Sequence, residues 1–187
     1  ITAKNVELDR LEGIYRNLLK NAGAELIEGW ARLTGPNSVS VGDRSLTAAH
    51  ILIATGGTPQ IPDVPGLVDC AITSNEALDL PAKPRRIVIY GAGYIALEFA
   101  SIFNGFGVAT HLVYRGDLPL RGFDPDVRAE IATALAGRGI TLHAGTTISS
   151  VAPGDEGHAV TLSNGSVIDA DQIMAATGRV PNTAGLD

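Results

Sequence analysis

The chain has 187 residues, 45% hydrophobic and 18% charged, a composition that supports a packed core and excludes a disordered protein. Its net charge of −6 argues against a nucleic-acid partner, because phosphate binding needs clustered Lys and Arg. The single cysteine, Cys70, excludes an internal disulphide framework and is expected to pack as a small apolar side chain. No segment is apolar enough to cross a membrane, so we expect a soluble, cytoplasmic protein with no membrane partner.

The first third of the sequence predicts one helix followed by short strands. Apolar residues recur at helical spacing over 6–22, and Gly23 follows as a candidate helix end. Three segments resemble strands separated by turn residues: AELIEGWARLT, SVSV and HILIATGG (24–34, 38–41 and 50–57). The proline-rich segment TPQIPDVPGL (58–67) then predicts an extended connector and a domain boundary.

A unit in which strands alternate with helices follows the connector. Its expected strand, helix, strand, helix and strand are RIVIYG, YIALEFASIFNGFG, ATHLVYR, FDPDVRAEIATALAGRG and ITLHAG (86–91, 94–107, 109–115, 123–139 and 140–145). Gly105 or Gly107 fits the end of the first helix. Asp124 fits the N-cap of the second helix, and Gly139 fits its end.

Antiparallel strands are predicted after this alternation. TISSVAP, HAVTLS and SVIDA alternate apolar and polar residues, and Asn164-Gly165 predicts a tight hairpin between the last two. QIMAATG (172–178) reads as one more buried strand. The order is typical of an α/β Rossmann-like nucleotide-binding domain that carries an antiparallel β-meander.

The sequence GAGYIA supplies the pattern G-x-G-x-x-A directly between a strand and a helix. Gly91 permits the tight turn, Gly93 lets the backbone approach a pyrophosphate, and Ala96 lets the helix pack closely on the strand. The helix N-terminus adds free N–H groups and a favourable dipole. Such glycine turns are common alone, but here the flanking strand and helix provide the required context, so dinucleotide binding is predicted.

The end of the second strand discriminates between NAD and NADP. An NAD site usually has an acidic residue there, which accepts hydrogen bonds from the ribose 2′-hydroxyl. This sequence has Arg115 instead, with Arg121 six residues later, and guanidinium groups bind a 2′-phosphate well. Asp117 lies past the strand, in the loop. NADP(H) is therefore favoured, the alternative being that both arginines are solvated loop residues.

Tyr94 and Glu98 are one helical turn apart and can face the same side of the helix. Tyr94 could be a core aromatic residue and Glu98 a surface acid. If Glu98 is buried among its apolar neighbours, it needs a partner from outside the local unit, which makes it a candidate functional residue.

The four histidines carry no pattern of their own. They lie in separate strand-like segments, without metal-ligand spacing or a carboxylate partner, so structural or surface roles and no metal site are predicted for His50, His111, His143 and His158.

Four motifs together resemble the FAD-dependent pyridine nucleotide-disulphide oxidoreductase family, and within it the glutathione reductase branch. They are ILIATGGTPQIP, GAGYIALEFA, THLVYRGDLPLRGFDPDV and AATGRVPNT (51–62, 91–100, 110–127 and 175–183). The resemblance covers nearly the whole chain. It implies a partial FAD-domain segment with connector over 1–66, the NADP(H)-binding domain over 67–177, and the start of a return to the FAD domain over 178–187.

The same resemblance implies roles for the residues that follow the first fingerprint strand. Arg115 and Arg121 would bind the 2′-phosphate. Tyr94 would cover the flavin and move when the nicotinamide arrives, and Glu98 would pair with a flavin-side lysine. Ile95 would also contact the dinucleotide.

The two ATG-like segments receive roles in the same way. Gly178 and Arg179 would lie beside the adenosine half of NADP(H), while Thr55 and Gly56 would contact FAD. The position of Gly116 is a lysine in some relatives, which would make the phosphate pocket here less basic.

The resemblance also implies the activity of a longer parent protein. NADPH would reduce FAD, electrons would reach a cysteine pair, and the pair would reduce glutathione disulphide in a homodimer. The family's redox cysteines and C-terminal acid/base pair are not in this sequence, so we expect an internal piece that is inactive alone. Trypanothione reductase, mercuric reductase, dihydrolipoamide dehydrogenase and a non-enzymatic dinucleotide-binding module stay open as alternatives.

Overall fold

A computed structural model describes residues 1–154 and 157–186, which form two compact units. The first unit contains Ile1–Gly57 and the segment that begins at Pro181. The second unit contains Thr58–Val180 and has far more internal packing. The roles assigned to domains from the sequence, with boundaries at 66/67 and 177/178, stay predictions.

The first unit consists of one helix and a small antiparallel sheet. Helix α1 spans Thr2–Asn21, as the apolar spacing predicted, and Gly23 follows it with φ +74°. Strands β1, β2 and β3 pair in that order and span Ala31–Gly35, Ser38–Val41 and Arg44–Thr47. None of the described residues in this unit is buried.

One strand expected in the first unit is absent. The segment HILIATGG has no strand over 50–56, and only its last residue enters the short strand β4, Gly57–Pro59. A strand needs a neighbour for its backbone N–H and C=O groups, and no described strand pairs with 50–56. The apolar run indicated a tendency to form a strand but could not supply the neighbour.

The second unit is built on a parallel sheet of four strands. In chain order these are β5, Arg86–Tyr90; β6, Ala109–Val113; β7, Thr141–His143; and β11, Gln172–Ala175. Their order in the sheet is β11-β5-β6-β7, and every neighbouring pair is parallel. Helix α3, Tyr94–Gly105, joins β5 to β6, and helix α4, Pro125–Gly137, joins β6 to β7.

The continuous apolar run of β5 is explained by burial on both faces of the sheet. Ile87 and Ile89 belong to the core formed with α3, whereas Val88 belongs to the core formed with the antiparallel strands. All three side chains are fully buried. A parallel strand covered on both sides has no polar face, which is why its sequence shows no alternation.

The helix ends follow the predicted signals. The Asp124 carboxylate accepts a hydrogen bond from the backbone N–H of Asp126 at 2.9 Å and begins α4. Gly139 follows α4 with φ +88°, and Gly107 follows α3 with φ +75°. Gly107, rather than Gly105, is therefore the glycine that lets the chain leave α3.

The antiparallel strands form a separate three-stranded sheet. Strands β8, Ile148–Gly154; β9, Gly157–Leu162; and β10, Val167–Ala170 are arranged in the order β10-β9-β8. Gly165, with φ +84°, turns the predicted hairpin between β9 and β10. Helix α2, Ser74–Ala77, was not predicted, although the capping box that begins it can be read in the sequence as the pattern Thr73-x-x-Glu76.

These elements confirm the predicted fold class, an α/β unit with a parallel sheet and an antiparallel meander. The last strand, β12, Arg179–Pro181, pairs with β4 where the chain passes from the second unit to the first. Within the described ranges, no helix combines the length and apolar character needed to cross a bilayer.

Candidate functional site

The candidate site lies at the carboxyl ends of the parallel strands. The chain moves from β5 outward to β6 and β7, and then returns so that β11 lies on the other side of β5. In an open α/β sheet, ligands bind at this change of direction. A cleft of about 580 Å³ opens here, lined by residues that follow β5, β6 and β11, among them Gly91, Tyr114 and Thr177.

Gly91 is required by the fold itself. Its φ of +132° disfavours other residues, and a Cβ atom there would lie 2.2 Å from the backbone oxygen of Ala176. The strand-to-helix turn therefore passes so close to the end of β11 that only glycine fits.

Gly93 has a different explanation. Its φ of −77° is open to any residue, and an added Cβ atom would meet nothing within 4 Å. Neither backbone conformation nor protein packing requires glycine there. Because Gly93 lines the cleft and precedes α3, the glycine keeps open the space in front of the helix N-terminus. Ala96, fully buried, allows the close packing of α3 that the sequence predicted.

The loop after β6 brings both predicted arginines to the cleft. Arg115 and Arg121 are exposed and line it, and neither forms a salt bridge with a described residue. Asp117 lies in the same loop but is not among the lining residues. The 580 Å³ cleft is lined by three arginines, the third being Arg128, and by no acidic residue.

Backbone contacts hold this loop against its surroundings. The backbone N–H of Leu120 donates to the carbonyl oxygen of Ala92 at 2.8 Å, which links the arginine loop to the glycine turn. Leu120 has φ +52°, unusual for a residue other than glycine, and its side chain is buried. The N–H of Gly145 also donates to the carbonyl of Gly116 at 3.0 Å. No local sequence pattern predicts either contact.

A second, smaller cleft of about 260 Å³ shares the glycine turn with the first. Ile95, Gly178 and Arg179 line it, together with Tyr94, which lines both clefts. The backbone N–H of Gln60 donates to the carbonyl of Gly178 at 3.1 Å and holds this segment. The structure thus gathers most of the sequence-predicted dinucleotide residues around two adjoining clefts.

Glu98 is not buried, although burial was one of the two arrangements considered from the sequence. It is exposed, lines neither cleft and forms no salt bridge with a described residue. The buried face of α3 instead contains Leu97, Phe99 and Phe103 among others. Tyr94, 61% exposed, lies one turn before Glu98 on the outer face. Of the two arrangements considered from the sequence, the structure therefore has the surface acid, because the apolar neighbours of Glu98 point to other sides of the helix.

Thr55 and Gly56 lie in the first unit. Both are exposed, and Gly56 has φ +70°. Its carbonyl oxygen accepts a hydrogen bond from the backbone N–H of Asn182 at 2.9 Å, so the end of the first ATG sequence and the segment after the second meet within that unit. Contact of these residues with FAD stays a prediction.

Two side chains near the sheet, one buried and one half-buried, have altered pKa values. Burial raises the pKa of the cleft-lining Tyr114 still further above neutral pH, where the phenol is protonated and able to donate in any case. Burial also raises the pKa of the Cys70 thiol, and its Sγ contacts the carbonyl of Gly66 at 3.0 Å. Cys70 is only half-buried but packs against the core, as expected.

Two histidines that the sequence placed in separate segments are neighbours in the sheet. His111 Nδ1 and His143 Nε2 lie 3.0 Å apart on β6 and β7. Burial and the neighbouring imidazole lower the pKa of His111, and burial lowers that of His143. Both rings are therefore neutral at neutral pH. No group of three metal-ligating side chains occurs in the described part of the chain.

Similarity to known proteins agrees with this arrangement. Residues 2–187 match the family described as pyridine nucleotide-disulphide oxidoreductase. The chain is 45% identical over 186 residues to a glutathione reductase of Burkholderia cepacia, covering 100% of this chain and 41% of that protein. It is 46% identical over 187 residues to the chloroplastic/mitochondrial glutathione reductase of Pisum sativum, covering 100% of this chain and 34% of that protein.

A solved structure shares the fold. The copper(II) complex of the HOCl-induced flavoprotein disulphide reductase RclA from Escherichia coli superimposes with a TM-score of 0.89 at 27% identity. The match covers 99% of this chain and 43% of that chain. The chain therefore spans less than half the length of these relatives, and over its whole described length it belongs to the pyridine nucleotide-disulphide oxidoreductase family.

Proposed function

We propose that this chain is the NADPH-binding portion of a flavoprotein disulphide reductase, and that the whole protein is a glutathione reductase. The observation that carries the proposal is the charge of the cleft: three arginines and no acidic residue line it, although the chain as a whole has a net charge of −6. A 2′-phosphate is attracted to such a site, whereas the acidic residue that selects the NAD ribose is lacking among the lining residues.

The residues present fit a dinucleotide phosphate. The open space at Gly93 and the absence of acidic residues from the first turn of α3 leave a helix N-terminus ready for a pyrophosphate. Arg115 and Arg121 would bind the 2′-phosphate, because both open into the cleft without a competing salt bridge in the described chain.

The chemistry that NADPH and FAD supply in such a reductase is hydride transfer to the flavin and electron transfer onward to a disulphide. The residues of this chain bind and orient the dinucleotide. Tyr94, exposed at the mouth of both clefts, would cover the flavin until the nicotinamide displaces it. Ile95, Gly178 and Arg179 would line the dinucleotide in the smaller cleft.

The roles of the other predicted residues rest on family resemblance. Glu98 is exposed on the same side of α3 as Tyr94 and would pair with a lysine from the flavin domain. Thr55 and Gly56 would contact FAD from the first unit. The homodimer, the glutathione disulphide partner and the cytoplasmic location belong to the same proposal for the whole protein.

Cofactor choice is tested by replacing Arg115 and Arg121 together with alanine in the whole flavoprotein. Charge-assisted hydrogen bonds contribute about 1.5–3 kcal/mol each, so NADP⁺ affinity should fall by about 100-fold or more, while NAD⁺ affinity changes by less than about 3-fold. Calorimetric titration of both nucleotides measures this.

The control variant is Arg138→Ala, since Arg138 is exposed beyond the end of α4 and does not line the cleft. It should leave both affinities unchanged. Equal losses of NADP⁺ and NAD⁺ affinity in the double variant would refute the phosphate assignment.

The disulphide substrate is tested by turnover. NADPH oxidation by the whole protein should be supported by glutathione disulphide, and not by trypanothione disulphide, mercuric ion or lipoamide. Selective turnover of another substrate would assign the corresponding reductase instead. Tight NADPH binding without turnover of any of them would favour a non-enzymatic dinucleotide-binding module.

A further inference from the structure

Arg128 is the third arginine of the cleft, and its side chain forms two hydrogen bonds within this chain. It lies in α4, one turn after the N-cap, and its guanidinium points back to the loop between β6 and α4. Its Nε donates to the carbonyl of Pro119 at 2.7 Å, and its Nη2 donates to the carbonyl of Leu118 at 2.8 Å. These two carbonyls lie between Arg115 and Arg121 in sequence.

The charge of Arg128 is poorly placed for helix stability. A cation near the first turn of a helix faces the positive end of the helix dipole, and two further guanidinium groups share the same cleft. Arg128 has no salt bridge with a described residue to offset this. Its location is therefore explained by the two carbonyls that it binds rather than by stabilisation of α4.

The contacts of Arg128 complete the anchoring of the loop. The Gly116 carbonyl is bound by the N–H of Gly145, and the Leu120 N–H is bound to the glycine turn. Between these two points, Arg128 is the only described residue whose side chain donates hydrogen bonds to the carbonyls of Leu118 and Pro119. Removing that side chain leaves the middle of the loop without its fixed connection to α4.

We infer that Arg128 is a positioning residue for the 2′-phosphate site, and that it contributes to the preference for NADP(H) by fixing the loop on which Arg115 and Arg121 are presented. This inference rests on the proposed function. A planar guanidinium that donates from two nitrogens fixes both the distance and the orientation of the loop, which a lysine ammonium at the same position does not do.

The test uses the whole flavoprotein with Arg128 replaced by alanine and, separately, by lysine. Calorimetry measures the affinities of NADP⁺, NAD⁺ and adenosine 2′,5′-bisphosphate. We expect both variants to bind NADP⁺ and the bisphosphate about 10-fold more weakly, a change of about 1.4 kcal/mol, with NAD⁺ affinity nearly unchanged. Arg138→Ala, just past the other end of α4 and outside the cleft, is the matched control.

The lysine variant separates positioning from simple charge. If Arg128→Lys restores wild-type affinity for the bisphosphate, the residue acts through its charge and the positioning role is overturned. If either folded variant keeps the wild-type ratio of NADP⁺ to NAD⁺ affinity, the inference fails as well. A wild-type protein that does not prefer NADP⁺ would instead contradict the proposed function itself, so the two failures are distinguishable.

Discussion

The two compact units differ in how far their apolar residues are buried. In the second unit the three central residues of β5 are fully buried between two cores. In the first unit no described residue is buried, Trp30 is 92% exposed and Leu52 is 89% exposed. The second unit thus contains its own core, whereas the first presents apolar side chains that its own elements do not cover.

This difference also separates the residues predicted to contact the dinucleotide from those predicted to contact FAD. Both clefts are lined only by residues of the second unit, so their geometry is fixed by a core that the chain itself provides. The residues predicted to contact FAD belong to the first unit, in which no described residue is buried. The two groups of predicted cofactor residues thus lie in units that differ in core packing.

Truncation of an apolar side chain should give the largest difference in stability between the two units. Ile89→Ala in the second unit removes a fully buried side chain from the main core and should lower the free energy of unfolding of this chain by about 2–5 kcal/mol. Leu18→Ala, at a residue of α1 that is 57% exposed, should lower it by less than about 0.5 kcal/mol. Urea denaturation measures both. Comparable losses would show that the first unit has a core of its own.

The two glycines of the turn should separate folding from binding. Gly91→Ala combines a φ of +132° with a contact of 2.2 Å to the Ala176 oxygen, and should cost at least about 2 kcal/mol of unfolding free energy. Gly93→Ala meets no protein atom and should leave stability within about 0.5 kcal/mol while weakening NADP⁺ binding. Urea denaturation and calorimetric titration measure the two effects. Unchanged NADP⁺ affinity in Gly93→Ala would argue against a phosphate at this turn.

The smallest expected effect is a pH dependence of the stability of the second unit. The folded-state pKa values of His111 and His143 are lowered, so the unfolded chain binds more protons below about pH 6.5. Stability should therefore be complete above that pH and fall as the solution becomes more acidic, by up to about 1.4 kcal/mol per proton and pH unit.

The histidine variants provide the measurement and its control. Denaturation of His143→Gln between pH 5 and 7 should give a flatter profile than that of the wild type. His50→Gln, at an exposed residue of the first unit, should retain the wild-type slope. An identical slope in all three proteins would exclude the histidine pair as the cause.

Patterns along the chain predicted those features that depend on local residues. The helix ends at Asp124 and Gly139 and the hairpin at Gly165 follow from capping and turn chemistry within a few residues. The glycine turn was predicted in the same way, because the strand and the helix that give it meaning are its immediate neighbours.

Features that depend on distant residues were missed or wrongly predicted. The His111–His143 pair requires β6 and β7 to be neighbours, and the Arg128 contacts require α4 to fold back onto the preceding loop. The strand expected at 50–56 failed because strand formation needs a partner. The side of α3 on which Glu98 lies depends on where the core is, which apolar neighbours alone do not reveal.

The order of residues along the chain was enough to predict the α/β order, the G-x-G-x-x-A turn and the two arginines on which the proposed preference for NADP(H) rests, since each is encoded in nearby residues with a definite chemistry. The three-dimensional arrangement was needed to see that the arginines share one cleft without an acidic lining residue, and that Gly91 is required by packing whereas Gly93 is not. The physical reason is that these properties depend on distances between β5, β6 and β11, which the order of residues along the chain does not contain.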